Sequence, residues 1–176
     1  MNLTFLSRLL LLSALAVLLP ACQTGSNSSA LSQFPTPDAH WKSSVGQLQY
    51  SSKERSVIGE AVVSRNGTRD FQLDFTAGPG VPLMRLRISG ANARAEGMFA
   101  RGSWQGDPAR AHGPVGSWMP LREVFATFDA THEKREHAQP PTGEWAAHAE
   151  WSKRHLKRLA VDYPRTGERF VFVFGE

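Results

Sequence analysis

Cys22 is the only thiol in the 176-residue chain, and it directly follows Leu19-Pro20-Ala21 at the end of an apolar run from Leu9 to Leu19. Small Ala21 leaves the bond before the cysteine open to a peptidase. The thiol is the one soft nucleophile available to form a thioether. A single cysteine also rules out an internal disulfide, so a folded domain here must be held by its apolar core.

The six histidines offer a second possible chemistry. His132-Glu133-Lys134-Arg135-Glu136-His137 is one residue longer than the metal-binding spacing H-E-x-x-H and equally misses H-x-x-E-H. On a helix its two imidazoles would stand about 140° apart and could not share a metal from one face. The mixed charges around them read as a solvated loop. His148 and His155 have no cysteine or carboxylate at ligand spacing. No G-x-S-x-G, S-x-x-K or phosphate-cradling glycine loop is present, and Pro79 in Gly78-Pro79-Gly80 lacks the N–H a phosphate nest requires. The sequence therefore assigns no catalytic residue, no metal site and no cofactor.

The N-terminus has the anatomy of an export signal: one charge at Arg8, a short apolar core and small residues after it. The run is shorter than the roughly 20 apolar residues a spanning helix requires. Leu-Pro-Ala-Cys at positions 19–22 resembles the lipobox of bacterial lipoproteins. That resemblance implies acylation of the Cys22 thiol, cleavage before it and acylation of the new amino group. Three acyl chains anchor far more firmly than one, at about 0.8 kcal/mol per buried CH2. By resemblance to lipoprotein sorting in Gram-negative bacteria, Gln23 after the cysteine implies the outer membrane, with the protein facing the periplasm. The lipid on Cys22 is then the only attached group.

On this reading residues 1–21 are a signal peptide, 22–40 an acylated cysteine and polar tether, and 41–176 one domain. Removing 21 of 176 residues leaves 155, enough for one sizeable core. Formal charge falls from +4 to +3, because Arg8 is the only charge lost. The basic residues are dispersed among 16 acidic ones without a block of five like charges, which argues against a nucleic-acid partner.

The elements follow from periodicity. Ser56–Ser64 and Asp70–Thr76 are strand-like and flank Asn66-Gly67, a strong hairpin signal because both residues tolerate positive φ. Phe71, Leu73 and Phe75 alternate with Gln72 and Asp74. Met84, Leu86 and Ile88 oppose Arg85 and Arg87, and Ala91, Ala93 and Ala95 form a face of small residues before Phe99. Pro120–Phe128 changes period, with Leu121, Val124, Phe125 and Phe128 at helical spacing behind a first-turn proline. Trp145–Trp151, Leu159–Tyr163 and Phe170–Phe174 return to strands, the last dense enough for a central, well-covered position. The expected fold class is mostly β (α+β): a strongly curved antiparallel sheet or unclosed half-barrel, with a short helical lid inserted after the fourth or fifth strand.

These pieces resemble the LolB outer-membrane lipoprotein receptors and the wider LolA/LolB-like fold. The residues carrying the resemblance are the lipobox and tether, and the strand pair Phe71-Gln72-Leu73-Asp74-Phe75-Thr76 and Leu83-Met84-Arg85-Leu86. To these are added Gly116-Ser117-Trp118-Met119-Pro120-Leu121-Arg122-Glu123-Val124 and the closing order of strands. A tryptophan expected after Pro120-Leu121 is replaced by Phe125 and Phe128. The resemblance implies an apolar concavity for acyl chains lined by Phe71, Leu73, Phe75, Met84, Leu86, Ile88, Phe99 and Phe125. It implies membrane contact through Val81 and Leu83. It further implies a monomer that meets the membrane through its anchor and takes acylated cargo from a periplasmic lipoprotein carrier. For each lining residue the competing reading is ordinary core packing, and for the function it is a lipid-anchored binding or envelope-assembly module with the same fold and no transfer activity.

Overall fold

The structure is a computed structural model that describes residues 34–78, 80–129, 136–153 and 155–175. Cys22, the segment before it, His132 and most of the expected tether lie outside the described residues.

The described residues form ten strands, most of them built on alternation of apolar and polar residues: β1 (Lys42–Ser51), β2 (Ser56–Asn66), β3 (Asp70–Ala77), β4 (Val81–Ser89), β5 (Asn92–Gly97), β6 (Gly102–Gly106), β7 (His137–Ala138), β8 (Ala146–Ser152), β9 (His155–Tyr163) and β10 (Glu168–Phe174). They form one antiparallel sheet in the order β6-β5-β4-β3-β2-β1-β10-β9-β8-β7. Strands β6 and β7 end the sheet at opposite edges, so it does not close into a barrel. Among the described residues the fold is mostly β with one α-helix, α1 (Leu121–Asp129).

Register carries one apolar face across the sheet. Trp104, Ala95, Leu86, Leu73 and Val63 are successive partners from β6 to β2, and Leu48, Phe172, Leu159 and Ala149 from β1 to β8. Directly paired residues point to the same side of a sheet, so that register sends the whole row to one face. Two glycines let neighbouring backbones crowd as the sheet bends. A Cβ on Gly46 would lie 2.1 Å from the Val173 carbonyl oxygen, and one on Gly59 2.1 Å from that of Thr76.

Four details depart from the sequence reading. The helix follows the sixth strand, because Gly102–Gly106 forms β6 despite its weak pattern. Ala91 sits in the β4–β5 turn and is exposed, leaving Ala93 and Ala95 as the small buried face. Ordered packing begins before Trp41: Phe34 is buried, and the Gln72 side-chain amide donates to the Pro35 carbonyl at 2.6 Å. Strand β10 is central but covered on one face only, since Phe170 and Phe172 are buried while Val173 is exposed.

Candidate functional site

The apolar face is covered by α1 and the 3-10 turn Gly113–Trp118 before it. Helical spacing puts Leu121, Val124, Phe125 and Phe128 on one side of α1, and all four are buried. The Phe125 ring lies 5.7 Å from Phe71 of β3 and 5.1 Å from Phe172 of β10. Those strands are three spacings apart in the sheet, about 14 Å if it were flat. Trp118 fills the adjoining space, 4.8 Å from Phe170, 5.3 Å from Tyr50 and 6.1 Å from Phe75. The lid is therefore an aromatic plug in the hollow of the sheet.

Polar bonds pin the lid at its margins. The Arg122 guanidinium donates to the Gly90 carbonyl in the β4–β5 turn at 2.6 Å. On the opposite side, Ser117 and Tyr50 hydroxyls both donate to Glu168 Oε1, at 3.0 and 2.6 Å. At the C-terminal end of α1, Asp129 meets Arg65 of β2 at 2.6 Å. A carboxylate there opposes the helix dipole, and the guanidinium offsets that cost. Burial lowers the Arg65 pKa, with Asp129 working against the shift, and the same guanidinium lies 5.2 Å from the Phe125 ring centre.

At the N-terminal end of α1 a cavity of about 750 Å3 opens between the β4–β5 turn and the β9–β10 turn. Ligand pockets generally run from about 300 to 1,000 Å3. Its apolar wall includes Ala91, Pro108, Ala109, Ala111, Met119 and Pro120. Its charged lining is Asp107, Glu123, Glu144 and Glu168 against Arg122 and Arg165, four carboxylates to two guanidinium groups. Met119 and Tyr163 line it and belong to the buried core, with the Tyr163 ring 5.6 Å from Phe170, so they separate the cavity from the aromatic plug. The Tyr163 hydroxyl is buried and has no hydrogen-bond partner among the described residues. Burial, then the charges of Glu168, Glu123 and Glu144, push that phenol above its ordinary range. A smaller cavity of about 250 Å3 opens at the other end of α1, beside Asp129, Arg65 and His40.

Phe71, Leu73, Phe75, Met84, Leu86, Ile88, Phe99 and Phe125 are brought together, each at most 4% exposed and packed in a single cluster. None of them lines either cavity. In this conformation they fill the hollow themselves. Val81 is 48% exposed, whereas Leu83 is 3% exposed and has no outward surface to offer. The reason is a register shift at Phe75/Thr76: Met84 pairs with Phe75 and Pro82 with Thr76, so the unpaired Leu83 turns inward beside Met84.

Sequence reasoning missed the cavity and the group Glu168–Tyr50–Ser117, whose members are 51 and 118 residues apart. It also left His148 without a partner. Register makes His137 and His148 direct neighbours on β7 and β8, with Nδ1 atoms 3.2 Å apart. Extending the Trp145–Trp151 alternation through a hairpin would have pointed toward such a pair. Among the described residues, no three His, Cys, Asp or Glu side chains gather in a metal-binding group.

No protein-family model matches the sequence, and no curated protein matches it. Among solved structures, the chain is similar to a LolA superfamily protein from Nitrosomonas europaea, with 8% identity, a TM-score of 0.44, and coverage of 85% of this chain and 91% of that one.

Proposed function

We propose that this chain is an exported lipoprotein, acylated at Cys22 and held at the periplasmic side of the outer membrane, whose domain binds an amphipathic acyl ligand at the N-terminal end of its helical lid. The observation that carries the binding reading is the cavity at the N-terminal end of α1. It abuts the lid at Met119 and Pro120 and is separated from the aromatic plug by two core side chains, Met119 and Tyr163. An acyl chain entering there would displace Met119 and lean on the plug. Each CH2 buried would contribute about 0.8 kcal/mol. The ligand's polar end would remain at the charged lining of Asp107, Glu123, Glu144, Glu168, Arg122 and Arg165. The excess of carboxylates favours a neutral or basic head group over an anionic one. An acylated peptide with a free or amide-linked polar end meets that description better than an anionic phospholipid does. No residue is assigned to catalysis, and the activity proposed is binding.

The test is titration of the purified protein with a fluorescent fatty-acyl probe, followed by competition with a diacylated lipopeptide. Saturable binding, displaced by lipopeptide and weakened by Ala91→Trp without a change in Tm, is expected, because Ala91 is exposed and lines the cavity. Absence of saturable binding, or binding indifferent to Ala91→Trp, would sink the proposal.

Two cellular roles fit such binding. One is the receipt of acylated cargo from a periplasmic carrier and its insertion into the membrane. The other is a lipid-anchored assembly module that transfers nothing. The hollow filled by Phe71, Phe125 and Phe172 favours the second, since a transfer protein must empty that space on every cycle. Depletion separates them: lipoproteins that accumulate away from the outer membrane support transfer, and normal sorting supports the assembly role.

A further inference from the structure

We propose that His137 and His148 form a two-histidine site for a borderline divalent metal ion of the Zn(II), Ni(II) or Cu(II) class, at the β7 edge of the sheet. The two residues are direct cross-strand partners. The Ala149 N–H donates to the Glu136 carbonyl at 2.7 Å beside them, which fixes the local register. That bond alternates with the histidine pair, so the pair occupies a non-hydrogen-bonded position, where opposed side chains come closest.

The imidazole rings lie 4.5 Å apart between centres, and their Nδ1 atoms face each other at 3.2 Å. Two nitrogens at that separation, each about 2.0–2.1 Å from a zinc-sized ion, subtend roughly 100–106° at the metal, close to a tetrahedral angle. The contact also has a tautomer requirement. Without a cation, one ring must carry its proton on Nδ1 and donate to the other, or two lone pairs collide. With both rings protonated at Nε2, the two Nδ1 lone pairs are free to converge on one cation. Neutral imidazole suits zinc, copper and nickel and is a poor ligand for magnesium or calcium.

On β8 the neighbouring carboxylate is already paired. His148 and Glu150 share the outward face of β8, and Glu150 is held by Arg158 at 2.7 Å. His137 stands on the edge strand β7 and His148 on its neighbour β8, where small side-chain rotations suffice to aim both rings at one ion. Water would complete the coordination, which makes the site an exchangeable one.

Purified protein is titrated with Zn(II), Ni(II) and Cu(II) by calorimetry, and imidazole 15N signals are followed by NMR. One equivalent is expected, with the Nδ1 resonances of His137 and His148 moving together. His137→Ala and His148→Ala should each weaken binding by at least about tenfold, equivalent to 1.4 kcal/mol. His155→Ala, which alters an exposed histidine outside the pair, should leave it unchanged. His148→Asn, with an unchanged Tm, guards against a folding defect. Affinity that survives either single substitution overturns the proposal. So do Nδ1 signals that stay still during titration, which would leave the pair as an N–H···N hydrogen bond alone.

Discussion

Phe125→Ala is the sharpest test of whether the lid sits in the hollow in solution. The side chain is fully buried, with Phe71, Phe172 and Phe174 rings at 5.7, 5.1 and 6.2 Å and the Arg65 guanidinium at 5.2 Å. Truncating a buried phenylalanine costs about 3–5 kcal/mol through lost transfer energy and the cavity left behind. Packing on both β3 and β10 leaves little freedom for the site to collapse, which argues for the upper half of that range. A single domain holds only about 5–15 kcal/mol in total, so a fall in Tm of roughly 10–15 °C should follow. Urea unfolding followed by circular dichroism measures the loss. Val45→Ala, at a side chain 63% exposed, serves as the control and should change stability by less than about 0.5 kcal/mol. A cycle with Phe71→Ala should return a coupling of about 0.5–1.5 kcal/mol for the ring pair. A lid detached from the sheet would leave Phe125 in water. A loss below about 1 kcal/mol with no coupling to Phe71 would therefore refute the closed arrangement.

Other perturbations probe separate links. Gly59→Ala places a Cβ 2.1 Å from the Thr76 carbonyl oxygen and 2.8 Å from Phe75 Cε2. A loss of about 1–3 kcal/mol in urea unfolding should result, and full stability would show that the strands do not crowd there. Asp129→Asn leaves the Arg65 charge buried without its partner. Because Asp129 is partly exposed, the cost should be only about 1–2 kcal/mol by the same assay, and no change would mean the pair does not fasten the lid. The third concerns alkali. Burial is the largest cause raising both tyrosine phenols above their ordinary value, and the Glu168 carboxylate adds to it in each case. The folded protein favours the neutral phenol, so this contribution is whole below about pH 10 and is lost as pH rises beyond it, where the unfolded chain ionises. Phenolate absorbance should then appear only with cooperative unfolding. Ionisation of both phenols near pH 10 with the circular dichroism intact would contradict the burial.

The strands that could be read locally were those whose pattern is self-contained. Phe71, Leu73 and Phe75 show their face by alternation, and Leu121, Val124, Phe125 and Phe128 show theirs by helical spacing. Strand β6 has only Trp104 as a large apolar residue between glycines, and β7 is two residues long, so neither carries a period of its own. Their existence depends on partners already in place.

Local chemistry in the chain determined the thioether-capable Cys22 behind its apolar run, the mostly β class, the inward faces of β3, β4 and α1, and the absence of disulfides. Those properties depend on residue type and on spacing of a few positions. Tertiary structure alone decided that the hollow is filled, that Leu83 faces inward, that Glu168 joins Tyr50 to Ser117, and that His137 meets His148. Each of these depends on register between segments far apart in sequence, and a one-residue shift reverses which face a side chain occupies. The eight residues expected to line an acyl site pack against one another, because packing density, which no local pattern encodes, makes them a solid core and leaves the cavity at its edge.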